Sequence, residues 1–174
     1  MENSSNKPKH FVNRKFLENI DENICDVCDF GYISNLRFSD SEFRELYHIP
    51  SLDSCLFESA IINDIFQRKG TIQFTKFISC TINDVVLSKG DLTNVHFENS
   101  SLTHVCFGGC YISNTTFKNC TYSEPLLNTE IGEQRPVEPI LENVQIWDSI
   151  QKKYILADDW AHFLILIDNE KKIQ

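Results

Sequence analysis

The chain has 174 residues, 41 % apolar and 11 % aromatic, with 6 glycines and 5 prolines. That balance suits one domain with small appendages and excludes collagen-like or low-complexity sequence. A formal charge of -9, from 25 acidic against 16 basic residues, disfavours phosphate backbones as ligands, so direct nucleic-acid binding is not expected.

No apolar run approaches ~18 residues, and the polar start from Met1 to Asn13 lacks the apolar stretch of a secretory leader. We expect no membrane association and a cytoplasmic location, with delivery into a host cell left open. The seven cysteines are an odd set, so reduced thiols are expected rather than a disulfide framework.

Residues 1–25 read as an N-terminal cap or tail that holds Phe11 and Phe16. From 26 to 124 neither a helical nor a strand period organises the chain. A period of five does. Stepping by five from Leu52 gives Phe57, Ile62, Gln67, Ile72, Phe77, Ile82, Leu87, Leu92, Phe97, Leu102, Phe107, Ile112, Phe117 and Tyr122, apolar or aromatic in fourteen of fifteen places. Two residues before each, from Cys55 to Cys120, runs a column that is small or medium-sized everywhere except Ile65. Going backwards, Tyr47 keeps the register, and Phe43, Phe38, Ile33 and Cys28 follow after a single four-residue step.

The stretch VHFENSSLTHVCFGGCYISNTTFKNCT, Val95 to Thr121, resembles the pentapeptide-repeat family in its Phe- and Cys-rich form. The resemblance runs unbroken from Leu52 to Glu124. It implies a mainly β fold, a right-handed four-sided parallel β-helix of about five coils in which residues twenty apart stack. The chain's own residues fit that arithmetic, because Phe57, Phe77, Phe97 and Phe117 then form one ladder, which Phe38 joins across the slip. Rungs at the strand spacing of ~4.8 Å would let these rings pack on one another.

Residues 125–174 begin as a polar, proline-punctuated linker and end as a capping or dimerisation segment. Ile140, Val144, Trp147 and Tyr154 fit one helical face. Asp158 and Asp159 open a second helix carrying Trp160, Phe163, Leu164 and Ile167, with a strand over 163–167 as the competing reading. A solenoid end needs a cover, and Trp147, Tyr154, Trp160, Phe163, Leu164 and Ile167 are the candidates for capping and for a homodimer contact.

Among constellations with chemistry, Cys25 and Cys28 form a Cys-x-x-Cys with no second pair to complete a metal site, so no metal and no cofactor are expected. Asp64, Asp84, His104 and Glu124 share an outward column. Like charges ~5 Å apart repel by about 0.8 kcal/mol in water, so a histidine between carboxylates would be drawn to its charged form. Phe66, Val86 and Cys106 make an outward column that is apolar where the repeat is usually polar, with Cys106 expected to be accessible to oxidants. These seven residues are the partner-binding candidates.

No catalytic residues are assigned. His10, His48, His96 and His162 lack nucleophile or base neighbours at a recognisable spacing, and most of the chain is spent on a filled solenoid. The expected function is non-enzymatic: a rigid surface presented to a protein partner. The resemblance adds two alternatives, a topoisomerase-protecting mimic of DNA that confers toxin or quinolone resistance, and a secreted bacterial effector or a targeting module of one. Segments 1–51, 52–124 and 125–174 carry net charges of -3, -2 and -4, so the repeat region is the least charged part, which counts against the mimic.

Overall fold

The computed structural model describes residues 9–12, 32–40, 42–43, 51–68, 70–107, 110–123 and 139–171. They form a parallel β-solenoid of about four turns with a single C-terminal helix, Trp160–Lys171. The expected figure of about five coils over 26–124 includes stretches outside the described residues, Cys28 and Tyr47 among them.

The five-residue unit explains the local structure. Its central residue sits in a strand of three residues whose flanks are half-buried or exposed, as in Ser51–Asp53, Leu56–Glu58 and Ser101–Thr103. Two residues later the backbone turns through the left-handed region at most of the described positions, as at Ser54, Ser79, Asn94 and Asn119, with φ of 51–56°. Eleven of the fifteen residues in that conformation are Asn, Asp or Ser, whose short polar side chains tolerate it. The turn's amide then donates to the next coil, Ser54 N–H to the Gln73 carbonyl at 3.0 Å and Asn94 N–H to that of Ser113 at 3.0 Å. Each coil is thereby bonded to its neighbour at its corners as well as along its strands.

Register follows the twenty-residue step. Leu52, Ile72, Leu92 and Ile112 are in line in one sheet, Phe57, Phe77, Phe97 and Phe117 in a second, and Ile62, Ile82, Leu102 and Tyr122 in a third. The fourth column has no sheet of its own. Its pairings, Gln67 with Leu87 and Val86 with Cys106, lie in the long strands Ile61–Arg68 and Thr81–Ser88 and in one isolated bridge.

Across the slip the step becomes nineteen: Ile33 lies beside Leu52, Phe38 beside Phe57 and Phe43 beside Ile62. One residue is missing from that coil, as the four-residue step requires. Phe11 continues the phenylalanine column beside Phe38; Phe16 lies outside the described residues.

The inward residues form one core. Leu92, Val95, Leu102, Val105, Ile112, Phe117 and Tyr122 are at most 2 % exposed, and Phe38, Phe57, Phe77, Phe97 and Phe117 stack with centroids 4.8–4.9 Å apart. Thr75, Ser100 and Thr115 occupy the small column and stay satisfied; Ser100 Oγ accepts the Cys80 amide at 3.0 Å and donates to the Glu98 carbonyl at 2.9 Å. Gly90 is required where it stands, since a Cβ there would lie 2.3 Å from the Gly70 carbonyl oxygen.

The tail corrects one expectation. The residues Ile140 to Tyr154 are not a helix. Ile140–Glu142 and Val144–Asp148 are strands parallel to the coil before them, placing Leu141 beside Phe117 and Ile146 beside Tyr122. The five-residue unit has returned after a step of twenty-four, with Pro139 and Val144 buried in the small column and Asn143 in the left-handed turn.

Lys153–Ala157 then folds back antiparallel to Val144–Asp148, so Trp147 and Tyr154 face each other edge-on at 5.2 Å. The expected second helix is present. Asp159 caps it, its Oδ1 accepting the His162 amide at 2.7 Å, and the competing strand over 163–167 is absent. Trp160, Phe163 and Ile167 are its buried face; Phe163 meets Tyr122 edge-on at 5.5 Å and stacks on Trp160 at 4.8 Å.

Candidate functional site

A filled interior leaves the outer surface as the place for function. Two consecutive outward turns bring Asp84 and His104 together, with Nδ1 of the imidazole 3.0 Å from a carboxylate oxygen of Asp84. Both residues have left-handed backbone, φ 53° and 52°, and both side chains are partly exposed. This is the centre of the column proposed from the sequence. Asp64 lies in the strand Ile61–Arg68 with its side chain outside the description, and Glu124 lies outside the described residues altogether.

The apolar column is only partly outward. Val86 pairs with Phe66 on one side and with Cys106 on the other, and its side chain is half-buried. Cys106 is 3 % exposed, so the expectation of an accessible thiol is wrong. The regular strand is reduced here to a single bridge, and Val105, Cys106 and Phe107 are buried in succession instead of alternating. The thiol lies near enough to the inward groups Cys110 and Tyr122 to raise the pKa of both.

The other described thiols belong to the interior. Burial is the main cause that pushes the Cys80 and Cys110 thiols up to about 11, and it raises Cys120 as well. The Tyr122 phenol, pushed far above its usual range by burial, donates to the Val105 carbonyl. Such groups serve packing and do not act as nucleophiles at neutral pH. Among the described residues no cluster of His, Cys, Asp or Glu could hold a metal ion, and no helix is long and apolar enough to cross a membrane.

The capping candidates gather at the C-terminal end. Trp160, Phe163 and Ile167 are buried and Leu164 is partly buried against the core, whereas Tyr154 remains 45 % exposed beside the half-buried Trp147.

Two surface features were missed by the sequence reading. Phe74, 57 % exposed, stands in the left-handed turn with φ 49°, in a column otherwise made, among the described residues, of Asn35, Ser54, Asn94 and Asn114. Reading the turn column for its exceptions would have found it. Asparagine ladders are the second feature: Asn114 donates to Asn94, Asn119 to Asn99 at 3.0 Å, and Asn143 to Asn119 at 3.0 Å.

Comparison with known proteins agrees with this architecture. Residues 82–119 match the family described as pentapeptide repeats, in eight copies. None of the curated proteins compared matches the chain. Among solved structures it is similar to QnrB1, described as a plasmid-mediated fluoroquinolone resistance protein. One trypsin-treated variant of QnrB1 is 15 % identical, with 83 % of this chain and 93 % of that one covered and a TM-score of 0.21. The full-length form is 12 % identical, with 83 % and 94 % covered and a TM-score of 0.18. Likeness at that level carries no argument about function. Five-residue units with a buried centre, a small inward partner and a left-handed turn, stacked every twenty residues, identify residues 82–119 as pentapeptide repeats, and the same unit recurs in the described coils on either side of them.

Proposed function

We propose that the chain is a protein-interaction module, not an enzyme, and that Phe74 anchors its partner. The observation that carries this reading is the large aromatic ring held out from a turn that disfavours it. A side chain other than Gly, Asn or Asp costs roughly 1–2 kcal/mol in left-handed backbone, and the burial lost by replacing a ring that is 57 % exposed is small. Strain kept at an exposed aromatic is explained by contact with something else, and aromatic anchors on rigid supports dominate protein interfaces. The support here is rigid, because the amide of Phe74 donates to the Thr93 carbonyl of the next coil at 3.0 Å and Thr75 beside it is fully buried. The partner this fits is a protein with an apolar pocket wide enough for one ring.

A photoreactive phenylalanine analogue placed at position 74 tests the reading in cells that express the protein. An adduct of defined mass is expected from position 74 and not from the same analogue at Lys89, an exposed turn residue elsewhere on the solenoid. Equal labelling from both positions, or none from either, would remove Phe74 as the anchor.

A further inference from the structure

Between the turn of the hairpin and the C-terminal helix lies a cavity of about 440 Å³, within the size range of small-molecule sites. Trp147 and Ile150 from the hairpin and Leu166 from the helix give it apolar walls, and Asp148 and Glu170 share the lining. Leu166 and Glu170 stand four residues apart, on one face of the helix Trp160–Lys171.

Glu170 is the unusual member. It is 3 % exposed, yet its carboxylate accepts only from neutral donors, the amide of Ser149 at 2.8 Å and the Ser149 hydroxyl. Among the described side chains no cation pairs with it; Lys152 and Lys153, just past the turn, are exposed and take no part in the lining. A buried charge that nothing opposes is costly. Its place in the last turn of the helix adds to that cost, because the helix dipole ends negative there. Asp148 brings a second negative charge, and its oxygens too accept from neutral donors, the Gln151 backbone amide at 2.7 Å and the Gln151 side-chain amide at 3.1 Å.

We propose that this cavity binds a small organic cation, a free primary amine on a short apolar chain, with its ammonium group held by Glu170 and Asp148 and its chain against Trp147, Ile150 and Leu166. An ammonium group has three donors, and both carboxylates keep lone pairs beyond the bonds they already accept. The indole in the wall favours a cation as well. A bare metal ion suits the place poorly, since among the described residues no group of His, Cys, Asp or Glu could hold one, and an anion would meet two like charges.

The cavity shares no residue with the turn of Phe74, so this proposal and the anchor reading stand or fall independently. Isothermal titration calorimetry on the full chain tests it, with pentylamine as the probe and pentanol as a neutral molecule of the same shape. Saturable binding of the amine with a Kd below about 10 mM is expected, and binding of the alcohol at least about tenfold weaker, because a neutral head leaves the buried charge unopposed. Glu170→Gln keeps an oxygen for the Ser149 amide but removes the charge, and should weaken the amine by at least about tenfold. Asp148→Asn, at a partly exposed turn, should weaken it by at least about threefold.

Tryptophan fluorescence locates the site. The amine should change the emission, and the change should vanish in Trp147→Phe, since the remaining Trp160 is not part of the lining. Each variant is first checked for an unchanged circular dichroism spectrum; if Glu170→Gln does not fold, Asp148→Asn decides. No saturable binding up to ~50 mM amine would overturn the proposal. An amine no tighter than the alcohol, carboxylate variants of unchanged affinity, or a fluorescence change that survives Trp147→Phe would overturn it equally. Acetyl-lysine amide, acetylated at the α-nitrogen, carries the same ammonium on a peptide; if it bound more tightly than pentylamine, the free-amine assignment would fall.

Discussion

The ring of Phe117 lies 4.9 Å from that of Phe97, with the two planes 5° apart, and Phe97 repeats the same spacing to Phe77. Parallel rings are not the arrangement an isolated aromatic pair prefers. The strand spacing imposes it, and complete burial compensates, since Phe97 and Phe117 are 4 % and 2 % exposed. Phe107 leans on both rings from the adjacent column, at 6.3 and 6.2 Å.

Phe97→Ala is therefore expected to lower stability by about 3–5 kcal/mol. The coils above and below are held at their spacing by backbone bonds and cannot collapse into the space. Urea unfolding measures this, and a loss under about 1 kcal/mol would contradict the stacking.

Phe74→Asn should do the opposite. Asparagine suits the left-handed turn, and in that column it would stand next to Asn94, which already accepts from Asn114. A gain of about 0.5–1.5 kcal/mol is expected. The same substitution should abolish partner capture, giving a variant that is more stable and less functional. A stability loss above about 1 kcal/mol would mean that the ring supports the fold.

The thiols Cys80 and Cys110 should resist iodoacetamide in the native protein at pH 8 and react at once in denaturant, read by mass spectrometry of each peptide. Their folded pKa values of about 11 stand above the ordinary 9.0, so the folded chain holds protons that the unfolded chain releases. The protection is complete below pH 9 and is lost as the pH climbs through about 11. Stability should fall over that window. Substituting both cysteines with alanine should flatten the fall while lowering stability at neutral pH.

Glu170 is 3 % exposed, and its carboxylate accepts both the amide of Ser149, at 2.8 Å, and the Ser149 hydroxyl. It ties the C-terminal helix to the turn of the hairpin. Glu170→Ala should cost about 1.5–3 kcal/mol, because charge-assisted bonds are lost and the Ser149 amide loses its acceptor. Hydrogen exchange should show the helix amides opening before those of the coils; uniform loss of protection would mean that the cap and the solenoid unfold as one unit.

The solenoid was legible because its energetics are periodic. A residue such as Phe77 touches mainly residues twenty positions away, so each inward place obeys the same size rule and the rule is written into the sequence every five residues. Even the missing residue before Tyr47 could be read from Phe43 and Phe38, and the register of nineteen confirms it. The last coil escaped because counting by fives from Tyr122 lands on Glu142 and Trp147, whereas the inward residues are Leu141 and Ile146. Four added residues changed the phase without changing the rule, and Ile140, Val144 and Trp147 then imitated a helical face.

What the amino-acid sequence determined alone was the set of contacts that repeat: the phenylalanine ladder, the small column and the helix that Asp159 caps, each dictated by side-chain size or a local hydrogen bond. Tertiary structure decided what depends on a break in the repeat. Cys106 is outward by count and buried in fact, because the strand around it shrinks to one bridge and three successive residues turn inside. Phe74 is unremarkable as one more aromatic among thirteen phenylalanines, and becomes a feature only when its φ of 49° and its exposure are known. The edge-on meeting of Trp147 and Tyr154 exists only because Lys153–Ala157 folds back antiparallel. Composition and spacing record which residues share a column, and the path of the backbone records which edges and side chains are left for another molecule.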